Sequence, residues 1–163
     1  MSHFSREKAI EVILFIAKRL DRPQFHQISK MLYFADKLHL ERYGRLVCGD
    51  SYIAMEYGPV PSGVYDIMKH NGIVYLDAFT VDGYQVLPSR PSDIDELSDS
   101  DTECLEEAIK LYGGHSFGEL VDITHADSAW QQAPQNREMT LESIVAMLDN
   151  SDELLEFLDD PNP

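Results

Sequence analysis

Lys30-Met31-Leu32-Tyr33-Phe34-Ala35-Asp36, followed by Glu56-Tyr57-Gly58-Pro59-Val60-Pro61, is the part of the sequence whose reading decides the fold. Around the first segment, Ile28, Met31, Leu32, Ala35 and Leu38 recur at three- and four-residue spacing, the stripe of a helix that buries one side. Asp21-Arg22-Pro23 predicts its start, with proline in the first turn, and Gly44 its stop after Tyr43. A second face carries Tyr33, Asp36, Leu40 and Tyr43, mixing apolar area with hydroxyls and one carboxylate. Two readings of that face stand side by side: contact with a partner, or packing under a neighbouring loop with the hydroxyls satisfied. In the second segment, Gly58 to Pro61 is expected to be a rigid turn. It follows a short strand at Ser51 to Met55 and sets the entry angle of a helix ending near His70-Asn71-Gly72.

Toward the amino terminus, Ser5 is predicted to open a helix through about Leu20, with Ala9, Ile13, Ile16, Ala17 and Leu20 on its buried stripe. Phe15 has Glu11 and Lys18 as helical neighbours, which puts its ring on the polar side and makes it a contact candidate. Downstream, Ile73 to Leu76 and Phe79 to Val81 are β-like, and Asp82-Gly83 before Tyr84 to Leu87 signals a hairpin, so a small antiparallel sheet interrupts the helices. Pro88 to Asp101 reads as an exposed linker. Capping boxes at Ser100-x-x-Glu103 and Ser116-x-x-Glu119 predict two helices, Thr140 a third through Leu148, and Ser151 a last short one. The acidic end from Asp149 to Pro163 fits an amphipathic helix or a frayed tail.

A chain of 163 residues suits one domain able to bury its own core without staples. Its longest uninterrupted apolar run is Val12 to Ala17, well short of a membrane span, and a cytoplasmic protein is expected. Cys48 and Cys104 lack the spacing of a metal knuckle and read as reduced, structural thiols. Charge is divided unevenly: residues 1–90 carry 11 Lys and Arg against 10 Asp and Glu, whereas residues 91–163 carry 2 against 19. That field disfavours nucleic acid and favours a partner with a basic surface.

Motifs that carry chemistry are sparse. Asp36 and His39 lie on one helix face without the further ligands a metal site needs, and the acids from Asp93 to Asp101 lack the glycine and terminal glutamate of a calcium loop. There is no nucleophile elbow, no phosphate loop and no cysteine in a catalytic signature, so neither catalytic residues nor a metal or cofactor are expected. In Thr124-His125-Ala-Asp-Ser-Ala-Trp130, the histidine reads as a helix-end cap and the tryptophan as a core residue; Trp130 is also a secondary contact candidate.

Three blocks, Lys30 to Asp36 with Tyr43-Gly44, Tyr57 to Pro61 with Tyr65, and Thr124-His125 with Trp130, carry a resemblance to the SocA-like Panacea domain, over roughly residues 5–135. That family contains antitoxins of bacterial toxin–antitoxin pairs and phage-associated proteins. The resemblance implies a small, mainly helical domain that neutralises a toxin by direct binding or, like the founding antitoxin, as an adaptor to a ClpXP-type protease. Many relatives add a DNA-binding segment; no basic helix-turn-helix segment flanks the domain here.

The expected protein is thus a single α+β domain, mainly helical, with a small antiparallel sheet or hairpin inserted. Residues 1–135 form the Panacea-like part and 136–163 an acidic helical extension. Its expected partner is a cognate toxin, and Phe15, Tyr33, Asp36, Tyr43, Tyr57, Pro59, Tyr65 and Trp130 are the contact candidates. The alternatives are a winged-helix-like regulator and a small metal-dependent hydrolase built from Asp36, His39 and His125. The sequence leaves the oligomeric state and the identity of the toxin open.

Overall fold

The computed structural model describes residues 3–74 and 77–159. Helix α1 (Arg6–Ala17) begins at the Ser5 cap, whose hydroxyl accepts from the Lys8 amide at 3.3 Å. Helix α2 (Phe25–Tyr43) runs through the middle of the fold and stops where Gly44 takes a left-handed conformation, φ 74°. Pro23 lies outside α2 rather than in its first turn. Its carbonyl accepts from Val86 at 2.9 Å, and Gln24 bridges Gln85, so a hairpin further along the chain fixes where α2 begins.

Strands β1 (Tyr52–Met55) and β2 (Gly58–Pro61) form an antiparallel hairpin, and this corrects the sequence reading, because the turn is Glu56-Tyr57 and the proline segment is a strand. Prolines are admitted there by register. Ala54 N–H donates to Arg137 O at 2.9 Å, away from β2, and Pro59 stands opposite Ala54 while Pro61 stands opposite Tyr52. Both prolines therefore occupy positions at which β1 requires no donor, the one placement a ladder tolerates. A third strand, β5 (Glu138–Met139), pairs with the other edge of β1.

Helix α3 (Ser62–Val74) continues through Gly72, whose helix-interior cost of roughly 1 kcal/mol is too small to end it. Ile73 and Val74 are therefore helical, and the remainder of that expected strand, residues 75–76, lies outside the described residues. Strands β3 (Phe79–Asp82) and β4 (Gln85–Pro88) form a separate two-stranded sheet. The expected linker that follows is pinned. Arg90 meets the buried Glu11 carboxylate with both guanidinium nitrogens at 2.8 and 2.9 Å, and the Asp93 amide donates to the same group at 2.7 Å.

Helix α4 (Asp99–Tyr112) is capped by Ser98 and Asp101, two residues earlier than the sequence suggested. The earlier pair wins because Asp101 is fully buried and receives Lys8 at 2.6 Å and Arg45 at 3.1 Å, while Ser100 Oγ is engaged by His39 Nε2 at 2.9 Å. Helix α5 (Phe117–His125) has the expected Ser116–Glu119 capping box, and α6 (Ser128–Gln132) follows at once. Thr140 caps α7, which is only Leu141–Val145, and α8 (Ser151–Asp159) is the amphipathic helix. β5, α7 and α8 bring residues 138–159 onto β1 and α2, with Asn150 Nδ2 donating to Glu41 O at 2.8 Å. The result is an α+β fold, mainly helical, around α2.

Candidate functional site

The β1–β2 turn is held by side chains from distant parts of the chain. Trp130 Nε1 donates to Met55 O at 2.9 Å, His125 Nε2 meets Glu56 O at 2.8 Å, and Lys30 Nζ donates to Pro59 O at 3.1 Å. The His125 and Trp130 rings stack at 3.9 Å with 14° between their planes, which makes the two donors one rigid unit. Gly58 closes the arrangement. Its φ of +119° suits glycine, and a Cβ there would lie 2.5 Å from Thr124 Oγ1 and 2.8 Å from Lys30 Cε. All three sequence blocks therefore meet at a single turn.

On this scaffold Met55 and Tyr57 are exposed by 38% and 53%, and Phe117 by 42%, with Tyr57 and Phe117 in edge-to-face contact at 5.3 Å. A depression lined by Ala54, Glu56, Trp130, Gln131, Ala133 and Gln135 adjoins the turn. Exposed apolar and aromatic side chains on a prearranged turn, with charged Glu56, Glu119 and Asp122 also exposed, have the composition of a protein-contact surface. Their fixed backbone limits the ordering cost of binding.

Beneath the turn the electrostatics are unusual. Lys30 is buried, and burial lowers its pKa to about 8. Burial and the Lys30 charge both lower the pKa of His26, whose ring contacts Phe117 edge-on at 4.5 Å. Further along α2, burial raises Asp36 to about 7 against the opposing hydrogen bonds from Tyr52 Oη (2.6 Å) and Val47 N (2.7 Å). Tyr33 donates to Asp127 Oδ2 at 2.6 Å, Lys37 reaches the same atom at 2.9 Å, and burial together with Asp127 raises the Tyr33 hydroxyl.

Several contact candidates are interior residues. Tyr33 and Asp36 are 0% and 1% exposed, so the mixed face of α2 is chiefly a packed polar seam, and the loop-packing reading holds for it up to Leu40. Phe15 is 1% exposed, packed in the main hydrophobic cluster with the Arg19 guanidinium 3.5 Å over its ring, and Pro59 is covered in β2. Tyr65 is half-buried, edge-on to Phe25. Tyr43 is exposed but bound to Glu103 at 2.8 Å, and Trp130 is half-buried with Tyr57 exposed nearby on the turn it holds. Met55, Phe117 and the buried charge of Lys30 were not singled out from the sequence. Phe117 had a usable signal: a large apolar residue at the first helical position after the Ser116 cap, outside the buried Leu120–Thr124 stripe.

Asp36, His39 and His125 do not come together as a hydrolase site. His39 is buried between Arg45 O (2.8 Å) and Ser100, whereas His125 sits at the hairpin. Among the described residues no group of three His, Cys, Asp or Glu side chains could hold a metal ion, and no helix is long and apolar enough to cross a membrane.

These features define a mainly helical α+β domain built to hold one exposed turn rigid against its central helix. The chain belongs to the antitoxin SocA-like, Panacea domain family, whose sequence profile matches residues 28–131, from α2 through the hairpin to α6. No curated protein and no solved structure matches the chain.

Proposed function

We propose that this protein is a cytoplasmic antitoxin that neutralises a cognate toxin by direct, non-enzymatic binding, with Met55, Tyr57, Phe117 and Trp130 as the central contact. The observation that carries this reading is the grip of Trp130, His125 and Lys30 on the carbonyls of Met55, Glu56 and Pro59 at the turn that displays Met55 and Tyr57, with Phe117 packed against Tyr57. Family membership supports the antitoxin role. Exposed carboxylates on α4 (Asp99, Glu103, Glu106) and α8 (Asp152, Glu153, Glu156) favour a toxin with a basic surface, which they would draw in faster at low salt than at high salt.

The test is co-expression with the product of the adjacent open reading frame. Rescue of growth together with co-purification supports neutralisation by occlusion. Rescue without a stable complex supports delivery to a protease instead, and a harmless neighbour removes the antitoxin reading.

A further inference from the structure

Lys30 is a buried charge with little compensation among the described residues. It is 2% exposed, its ammonium has one hydrogen-bond acceptor, Pro59 O, and among the described residues no carboxylate lies within 4 Å of it. Among the described residues two of its N–H bonds have no protein acceptor. On the same face of α2, one turn earlier, His26 Nε2 is also buried without a partner. A buried ammonium normally has a carboxylate, and removing such a partner costs several kcal/mol. Here burial lowers the pKa of Lys30, and among the described residues no carboxylate within 4 Å offsets it.

What covers these nitrogens is the exposed edge of the fold. Phe117 lies over the His26 ring, Tyr57 leans on Phe117, and Gly58 replaces a side chain directly above Lys30. Tyr57 makes no side-chain hydrogen bond among the described residues, and it and Phe117, which covers the His26 ring, are both exposed, so no hydrogen bond of Tyr57 holds that cover in place. Around it the exposed charges are negative: Glu56, Glu119 and Asp122.

The geometry points to a receptor for one carboxylate of the toxin, an aspartate or glutamate side chain that enters between Tyr57 and Phe117 and pairs with Lys30 and His26. This deepens the antitoxin reading and rests on it for the identity of the partner. Beside Glu56, Glu119 and Asp122 a buried positive point fixes register: a basic partner is held in place only where it presents one acid at this position. The carboxylate supplies the counter-charge that the free fold lacks.

The experiment has two arms. In the first, the free protein is melted at pH 7 in about 0.5 M sodium acetate and in the same concentration of sodium chloride, where surface charges are screened alike. Acetate should raise the Tm of the wild type by about 2 °C relative to chloride, and should have no such effect on Lys30→Met or on Lys30→Gln, which keeps a donor for Pro59. In the second, each exposed Asp and Glu of the toxin is neutralised in turn and tested against wild type and Lys30→Met. One toxin position should lose roughly 30-fold or more in affinity against the wild type and nothing further against Lys30→Met. An acetate effect that is absent or independent of Lys30 overturns the receptor. Toxin binding without any coupled position overturns the carboxylate of the partner as its ligand. A Lys30-dependent acetate effect in a protein that holds no toxin supports the receptor and overturns neutralisation by direct binding.

Discussion

Replacing Lys30 by methionine should make the protein more stable, against the usual outcome of a core substitution. A pKa lowered from 10.5 to about 8 corresponds to roughly 3 kcal/mol of destabilisation while the group is charged, and deep burial leaves little screening to reduce it. Methionine keeps the length and apolar stem of the side chain but gives up the hydrogen bond to Pro59 O, which costs about 1 kcal/mol. The net gain at pH 7 is therefore about 1 to 2 kcal/mol, or roughly 3 to 6 °C in Tm for a chain of this size. The pH dependence identifies the cause. The folded pKa lies below the unfolded one, so between about pH 8 and 10.4 the unfolded state binds more protons and the wild type gains stability as pH rises. The wild type gains about 2.5 kcal/mol between pH 7 and 10 that methionine lacks, so melts followed by circular dichroism at the two pH values should show the advantage of methionine vanishing or reversing at about pH 10. Other alkaline titrations act on both proteins and cancel. A variant less stable than the wild type by the same margin at both pH values would mean that Lys30 is compensated in the fold, and the reasoning would fail.

Asp36 has the opposite sign. Its folded pKa of about 7 exceeds the ordinary carboxylate value, so the folded state holds the proton more tightly, and wild-type stability should fall as pH rises from about 4 to 7. Asp36→Asn should flatten that slope in urea titrations at pH 5 and 8, whereas Asp36→Ala, which leaves Tyr52 Oη and Val47 N unpaired, should cost about 2 to 4 kcal/mol. Gly58→Ala forces a Cβ into Thr124 and Lys30 at φ +119° and should cost at least about 2 kcal/mol, with a shift in Trp130 fluorescence as the turn moves. Tyr57→Ala and Phe117→Ala should each leave stability within about 1 kcal/mol, since both rings are exposed, yet weaken toxin binding at least about tenfold in calorimetry. Unchanged affinity in both would remove the hairpin from the interface.

Local rules made much of the architecture legible. The stripe from Ile28 to Leu38, the stop at Gly44, the Ser5 cap and the Ser116–Glu119 box are all dictated by neighbours within four residues, and all stand as read. Where two local signals competed, tertiary contacts chose. Ser98 rather than Ser100 caps α4 because Asp101 is needed by Lys8 and Arg45, and Gly58 to Pro61 pairs as a strand because the register turns its missing N–H groups away from β1.

The candidate site was half legible. The blocks around Lys30, Tyr57 and His125–Trp130 were visible in the sequence as composition and spacing, and they were sufficient to indicate the family. Their roles within the site were not, because a periodic pattern reports that a residue lies on a face but not what covers that face. Tyr33, Asp36 and Phe15 have the chemistry of contact residues and are buried: Asp127 and Tyr52 come from other elements to satisfy the first two, and Phe15 packs into the core with Arg19, four residues on, over its ring. The sequence by itself determined most of the helices, the ends set by local caps such as Ser5, Gly44 and Ser116, and the acidic character of residues 91–163. Only the tertiary structure decided that three distant side chains clamp one turn and that one of them, a buried lysine, has no counter-charge among the described residues, because burial and pairing are properties of contacts made across many tens of residues.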